Sequence, residues 1–236
     1  MQRTVRAIAV VALLLLGGGF LLREVPAMLA RRAGGASEVD LPAMAFDVEE
    51  DPQEVLFDLG QELPRELRRT QREVVADLFV TAGYWAVFAL LGVLLVQSDL
   101  PFGRLLGPLA LVCATVAAGT DVRESMRVWR LLGALRAARD AAPMVPAVLA
   151  AVRTKWALLS VAAAAVGVPF VLRGTDALLV TGATLLTAAA MGALGLLVPG
   201  WPGLAIACTL LIVGVALLGG TCLLAPDELV GSRGAV

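Results

Sequence analysis

Three charged residues stand at the edges of apolar runs: Asp121 and Glu124 follow the run Leu105–Thr120, and Lys155 precedes the run that opens at Trp156. Carboxylates at i and i+3 share one face of a continuous helix, and an ammonium on the next helix is their natural partner across the hairpin. A charge at the centre of a membrane helix costs ~2.5–3.5 kcal/mol on insertion scales, so acids inside a bundle are usually paired and often functional. The chemistry open to such a set is titration or ion exchange, with the lysine as counter-charge. A second arrangement competes with it: all three groups sit at the interface, long basic side chains reach the headgroups, and Trp129 and Trp156 form an aromatic belt. Arg123, Arg127 and Arg130 make a neighbouring stripe suited to anionic headgroups or a protein partner.

Other chemistries find little support. The chain has no histidine, which removes the commonest metal ligand and the side chain best suited to proton relays near neutrality. Cys113, Cys208 and Cys222 sit singly in apolar runs, without the paired spacing of a metal knuckle or a disulfide framework. A net charge of −1 supplies no field for nucleic acid. A lipid-modifying enzyme with Asp121 or Glu124 as general base would lack a nucleophile, a metal cluster and a phosphate loop. The sequence thus points to no catalytic, cofactor-binding or metal-ligating residue.

The elements that position the charged set are apolar helices. Hydrophobic residues make up 59% of the chain and the mean hydropathy is +0.85, beyond the roughly 45–50% apolar usage of soluble domains. Charge-free runs cover Ala7–Leu22, Leu78–Val96, Leu105–Thr120, Trp156–Leu172 and Ala177–Pro226, the last interrupted by Val198–Gly203. Since a bilayer core of ~30 Å needs ~20 apolar residues per helix, the pattern predicts an all-α, polytopic bundle of about six spans. Residues 1–22 read as an uncleaved first span, because Arg23–Ala30 offers only a poor cleavage site. Residues 77–226 read as a five-span bundle with a basic connection at 121–155, and 227–236 as a short tail.

Residues 23–76 form the one candidate extramembrane segment, rich in Asp and Glu. Ala33–Ser37 reads as a linker, Asp51-Pro52 starts a helix that Gly60 can stop, and Pro64 opens a second helix leading into the membrane. Arg173–Asp176 is a tight hairpin between the fourth and fifth spans. Thr184, Ala188 and Gly192 place small side chains four apart, which lets helices approach closely in lipid.

At Asp121, Glu124 and Lys155 the chain resembles an uncharacterised family of bacterial multi-span membrane proteins. That family has a short first span, an acidic segment with a helix entering the second span, a third span ending in Asp-x-x-Glu-Asn, and a lysine near the start of the fourth. The resemblance covers about Phe46–Leu172, with Ser125 in place of the asparagine. It implies a membrane location and no particular activity.

Lys155 is the chain's single lysine among 19 basic residues, a bias expected of a G+C-rich bacterial genome. Comparing alternate connections, arginine and lysine crowd into 23–76 and 121–155, which places those segments in the cytoplasm; the short arginine-bearing N-terminus before the first span argues the opposite orientation. The expectation for function is a non-enzymatic, multi-pass protein of the bacterial inner membrane, acting through membrane lipid, a protein partner or assembly of a complex. The alternative is a small ion- or proton-coupled transporter using Asp121 or Glu124 with Lys155.

Overall fold

The computed structural model describes residues 6–7, 10–19, 63–137, 140, 142–198 and 203–224. Among them are six helices and no strand: α1 (Val10–Gly19), α2 (Leu63–Gln97), α3 (Gly103–Arg136), α4 (Val145–Arg173), α5 (Asp176–Leu197) and α6 (Gly203–Leu224). Four of them, α2 to α5, are long and apolar enough to cross a membrane; Val10–Gly19 and Ile206–Leu218 are shorter apolar stretches. The acidic segment from Arg23 to Glu62, the linker, the Asp51–Gly60 helix, the 199–202 turn, Cys222's side chain and the tail lie outside what the structure describes.

The apolar runs and the helices do not end together. The third helix continues 16 residues beyond Thr120, because Asp121–Arg136 contains no proline and its arginines, leucines, alanine and glutamate are good helix formers. The fourth begins at Val145, with proline in its first turn, where a missing N–H costs nothing. The stretch 121–155, expected as a basic connection, is therefore largely helical. Between these two helices, Asp140 Oδ1 accepts the Ala142 amide at 3.0 Å, and a short 3-10 turn covers Ala142–Met144. At ~1.5 Å per residue, α3 is about 51 Å long, some 20 Å more than a hydrocarbon core.

At the other end of the bundle, α2 passes to α3 through residues 98–102, and α4 passes to α5 through Gly174 and Thr175. The second of these is the hairpin expected from Arg173–Asp176. Gly174 ends α4 in the left-handed conformation (φ 75°), and its amide donates to the Phe170 carbonyl at 3.4 Å. α2 and α4 thus run in one direction, α3 and α5 in the other, and each helix packs on its sequence neighbours.

Backbone contact tightens both hairpins. A Cβ on Gly92 would lie 2.8 Å from the Gly107 carbonyl oxygen, and one on Gly167 would lie 2.9 Å from that of Gly182. In lipid, where apolar burial gives no drive to associate, such close approach increases dispersion contact. Thr184 lies close to Gly214 of α6, Gly192 sits between Ser160 of α4 and Ala207 of α6, and Ala188 between them is buried. Phe88, Leu91, Ala110, Ala114, Ala162 and Val166 fill the interior, while Phe79, Val93, Val112, Val161 and Val180 cover the outside. An apolar exterior around an apolar interior suits a protein whose solvent is hydrocarbon.

Candidate functional site

The helix periodicity of α2 aligns Asp77, Thr81 and Tyr84 at i, i+4 and i+7 on one face. That face meets α3 at Asp121. Asp121 Oδ2 accepts hydrogen bonds from Thr81 Oγ1 at 2.6 Å and from Tyr84 OH at 3.0 Å, and its Oδ1 accepts one from Lys155 Nζ at 3.0 Å. One turn along α3, Glu124 Oε2 lies 2.8 Å from the same ammonium, an ion pair off the line of a good hydrogen bond. Asp121, Glu124 and Ser125 are buried, with Glu124 only 1% exposed; the Lys155 side chain is 12% exposed. Three helices thus contribute to one polar cluster inside an otherwise apolar bundle.

Burial makes this arrangement demanding. Each charge gives up several kcal/mol of hydration on leaving water, and the loss is recovered only with close pairing and additional hydrogen bonds. Asp121 has both: a cation on one oxygen and two hydroxyl donors on the other. Hydrogen bonds to a charged group are the shorter and stronger kind, consistent with the 2.6 Å from Thr81. The Lys155 ammonium bridges the two carboxylates, at 3.0 Å from Asp121 and 2.8 Å from Glu124.

Its depth follows from the helix lengths. Asp121 stands about 27 Å along α3 from Gly103, and Lys155 about 27 Å along α4 from Arg173, at ~1.5 Å per residue. Ser98, Asp99, Arg104, Arg173 and Asp176 mark the polar edge at that end. Measured from there, Asp121 and Lys155 fall within ~30 Å and Glu124, about 31.5 Å along α3, at its limit, so the cluster sits at the opposite edge of a hydrocarbon core.

The structure therefore brings together Asp121, Glu124 and Lys155, the three residues expected to pair. The arginine stripe divides. Arg123 and Arg130 are exposed, whereas Arg127 is half-buried and donates through Nη1 to the Ala147 carbonyl in the first turn of α4. Trp129 is exposed, as an aromatic belt requires, but Trp156 is buried at 7% exposure and does not belong to such a belt. Its Nε1 has no hydrogen-bond partner among the described residues. Asp77, Thr81 and Tyr84 were not expected from the sequence. The available signal was polar residues at helical spacing beside an apolar run, including the chain's single tyrosine. Among the described residues, no group of three or more His, Cys, Asp or Glu is placed to hold a metal ion. No protein-family model matches the chain, and no curated protein or solved structure is detectably similar to it.

Proposed function

We propose that the protein is a small ion- or proton-coupled transporter of the bacterial inner membrane, with six spans and the charged cluster as its coupling site. The observation that carries this reading is the Lys155 ammonium shared between Asp121 at 3.0 Å and Glu124 at 2.8 Å, enclosed by membrane-length helices. Paired ionisable groups facing the interior of a membrane bundle mark ion pathways and proton relays in pumps and transporters. When one carboxylate takes up a proton or cation, its attraction for Lys155 falls and the ammonium moves toward the other. Pro108 in α3 and Pro169 in α4 each leave a carbonyl without its helical donor and so ease local adjustment of both helices. The arginine-rich end, with the 137–144 turn, faces the cytoplasm.

Infrared difference spectroscopy on the protein in lipid nanodiscs tests the proposal. A jump in pH or in sodium concentration should change carboxylate bands that disappear in Asp121→Asn or Glu124→Gln. If neither residue contributes to either response, the cluster is structural and the transport reading fails.

A second reading, action through lipid or protein contacts, is favoured by one surface. Arg123, Met126, Trp129 and Arg130 are exposed together on the part of α3 that outruns the hydrocarbon. Each arginine near an anionic membrane surface contributes on the order of 1 kcal/mol of attraction.

A further inference from the structure

The polar cluster lies nearer one end of the bundle than the other. Asp77 lies one helical turn, about 6 Å, nearer the 137–144 end than Thr81, and Glu124 lies about 4.5 Å nearer that end than Asp121. Asp77 is half-buried and shares its helix face with Thr81 and Tyr84, the two donors to Asp121. Asp121 and Glu124 are more enclosed, their side chains 5% and 2% exposed, and the Lys155 side chain between them is 12% exposed.

Past Tyr84, toward the 98–102 end, the described core residues include no further carboxylate, ammonium or guanidinium, and the Cys113 thiol is buried among apolar side chains. Phe88, Leu91, Ala117 and Ala162 are fully buried and close the space between α2, α3 and α4. From Tyr84 to Gln97 this dry packing continues for about 20 Å. A proton or hydrated cation gains no hydrogen bonds over that distance, so the layer is a barrier.

We propose that the cluster is reached from one side of the membrane only, the side of the 137–144 turn, with Asp77 as its mouth carboxylate and the Phe88–Leu91 layer as its closed gate. The ligand is a proton or a small monovalent cation, an assignment that rests on the transport reading above. The titratable groups of the cluster beside this face are Tyr84 on the same helix, Asp121 and Glu124 from α3, and Lys155 from α4; residues 10–19 of α1, which also pack on α2, carry no charge. A proton taken up by the Asp77 carboxylate is passed inward as its O–H breaks and an O–H forms on Glu124 or Asp121. Asp77 then returns to its anionic form.

Thiol labelling tests the access route. With Cys113, Cys208 and Cys222 replaced by alanine, single cysteines are placed by Asp77→Cys, Leu91→Cys and, as a marker of sidedness, Asp140→Cys. Right-side-out and inside-out vesicles are exposed to a membrane-impermeant thiol reagent. Asp77→Cys should react only from the side that labels Asp140→Cys, and Leu91→Cys from neither. Reaction at position 77 from the opposite side or from both sides, no reaction from either, or reaction at position 91 would overturn the proposal. Asp77→Asn provides a conservative second variant: it should slow the infrared response of Asp121 and Glu124 to a pH jump about tenfold while preserving its amplitude. An unchanged rate removes Asp77 as the mouth. One-sided labelling with no infrared response in the unmodified protein would remove the transport reading alone, so the two failures are separable.

Discussion

Replacing Lys155 with methionine keeps the length of the side chain and deletes the ammonium that sits within 3.0 Å of Asp121 and 2.8 Å of Glu124. Two carboxylates then remain in a bundle interior where neither is more than 5% exposed. A stranded carboxylate can escape by taking a proton. With ordinary values of ~3.9 for Asp and ~4.3 for Glu, and 1.36 kcal/mol per unit, that escape costs about 4 kcal/mol for either group at pH 7. The loss expected for the single variant is therefore about 3–5 kcal/mol, the range for breaking one side of a buried pair. For a chain of this size it corresponds to a fall of roughly 6–20 °C in thermal midpoint, if ~2–4 °C per kcal/mol carries over to detergent. Adding Asp121→Asn removes one stranded charge, so the double variant should recover ~1–3 kcal/mol relative to Lys155→Met. The sign with pH is fixed by the same chemistry: protonation becomes about 2.7 kcal/mol cheaper per group at pH 5 than at pH 7, and the destabilisation should shrink as pH falls. Thermal unfolding of the four proteins of the cycle, at both pH values, measures all of this. Additivity within ~0.5 kcal/mol, or a loss independent of pH, would refute the coupled buried pair.

Three further outcomes follow from neighbouring features. Tyr84→Phe removes one of the donors to Asp121 and should cost about 1.5–3 kcal/mol in the same melts; because Tyr84 is the chain's single tyrosine, its ultraviolet band in the unmodified protein should shift in Asp121→Asn. Gly167→Val should loosen the α4–α5 hairpin and lower the thermal midpoint, since its Cβ would meet the Gly182 carbonyl at 2.9 Å, whereas Gly119→Ala, with open space at its Cβ, should be neutral or slightly stabilising. Arg123→Gln with Arg130→Gln should reduce anionic lipid retained through purification, read by mass spectrometry, by about 1 kcal/mol of affinity per arginine, while Arg127→Gln should act mainly on stability, through its lost bond to Ala147.

Much of the candidate site was legible because charge is conspicuous beside apolar runs. Asp121, Glu124 and Lys155 stand out by composition alone, and their spacing already placed the acids on one helix face. Thr81 and Tyr84 were not legible in that way: a hydroxyl within an apolar run scarcely alters its hydropathy, and the partner it reaches lies 37 to 40 residues further along the chain. Arg127 shows the converse. Its type and position matched those of Arg123 and Arg130, but only the closeness of α4 turned it from the surface onto a carbonyl of its own chain.

What the sequence determined by itself was the solvent. Runs of apolar residues of membrane length require helices, because hydrocarbon offers backbone amides no partner other than their own chain, and that requirement is local and additive along the sequence. What the tertiary structure decided was which face of each helix points inward, and how far each helix continues past its apolar run. Trp156 is buried where an interfacial position was equally compatible with its chemistry, and the residues from Asp121 to Arg136 extend α3 where charge marked the end of the run. Both are settled by packing against neighbouring helices, an interaction between distant parts of the chain that no window of sequence contains.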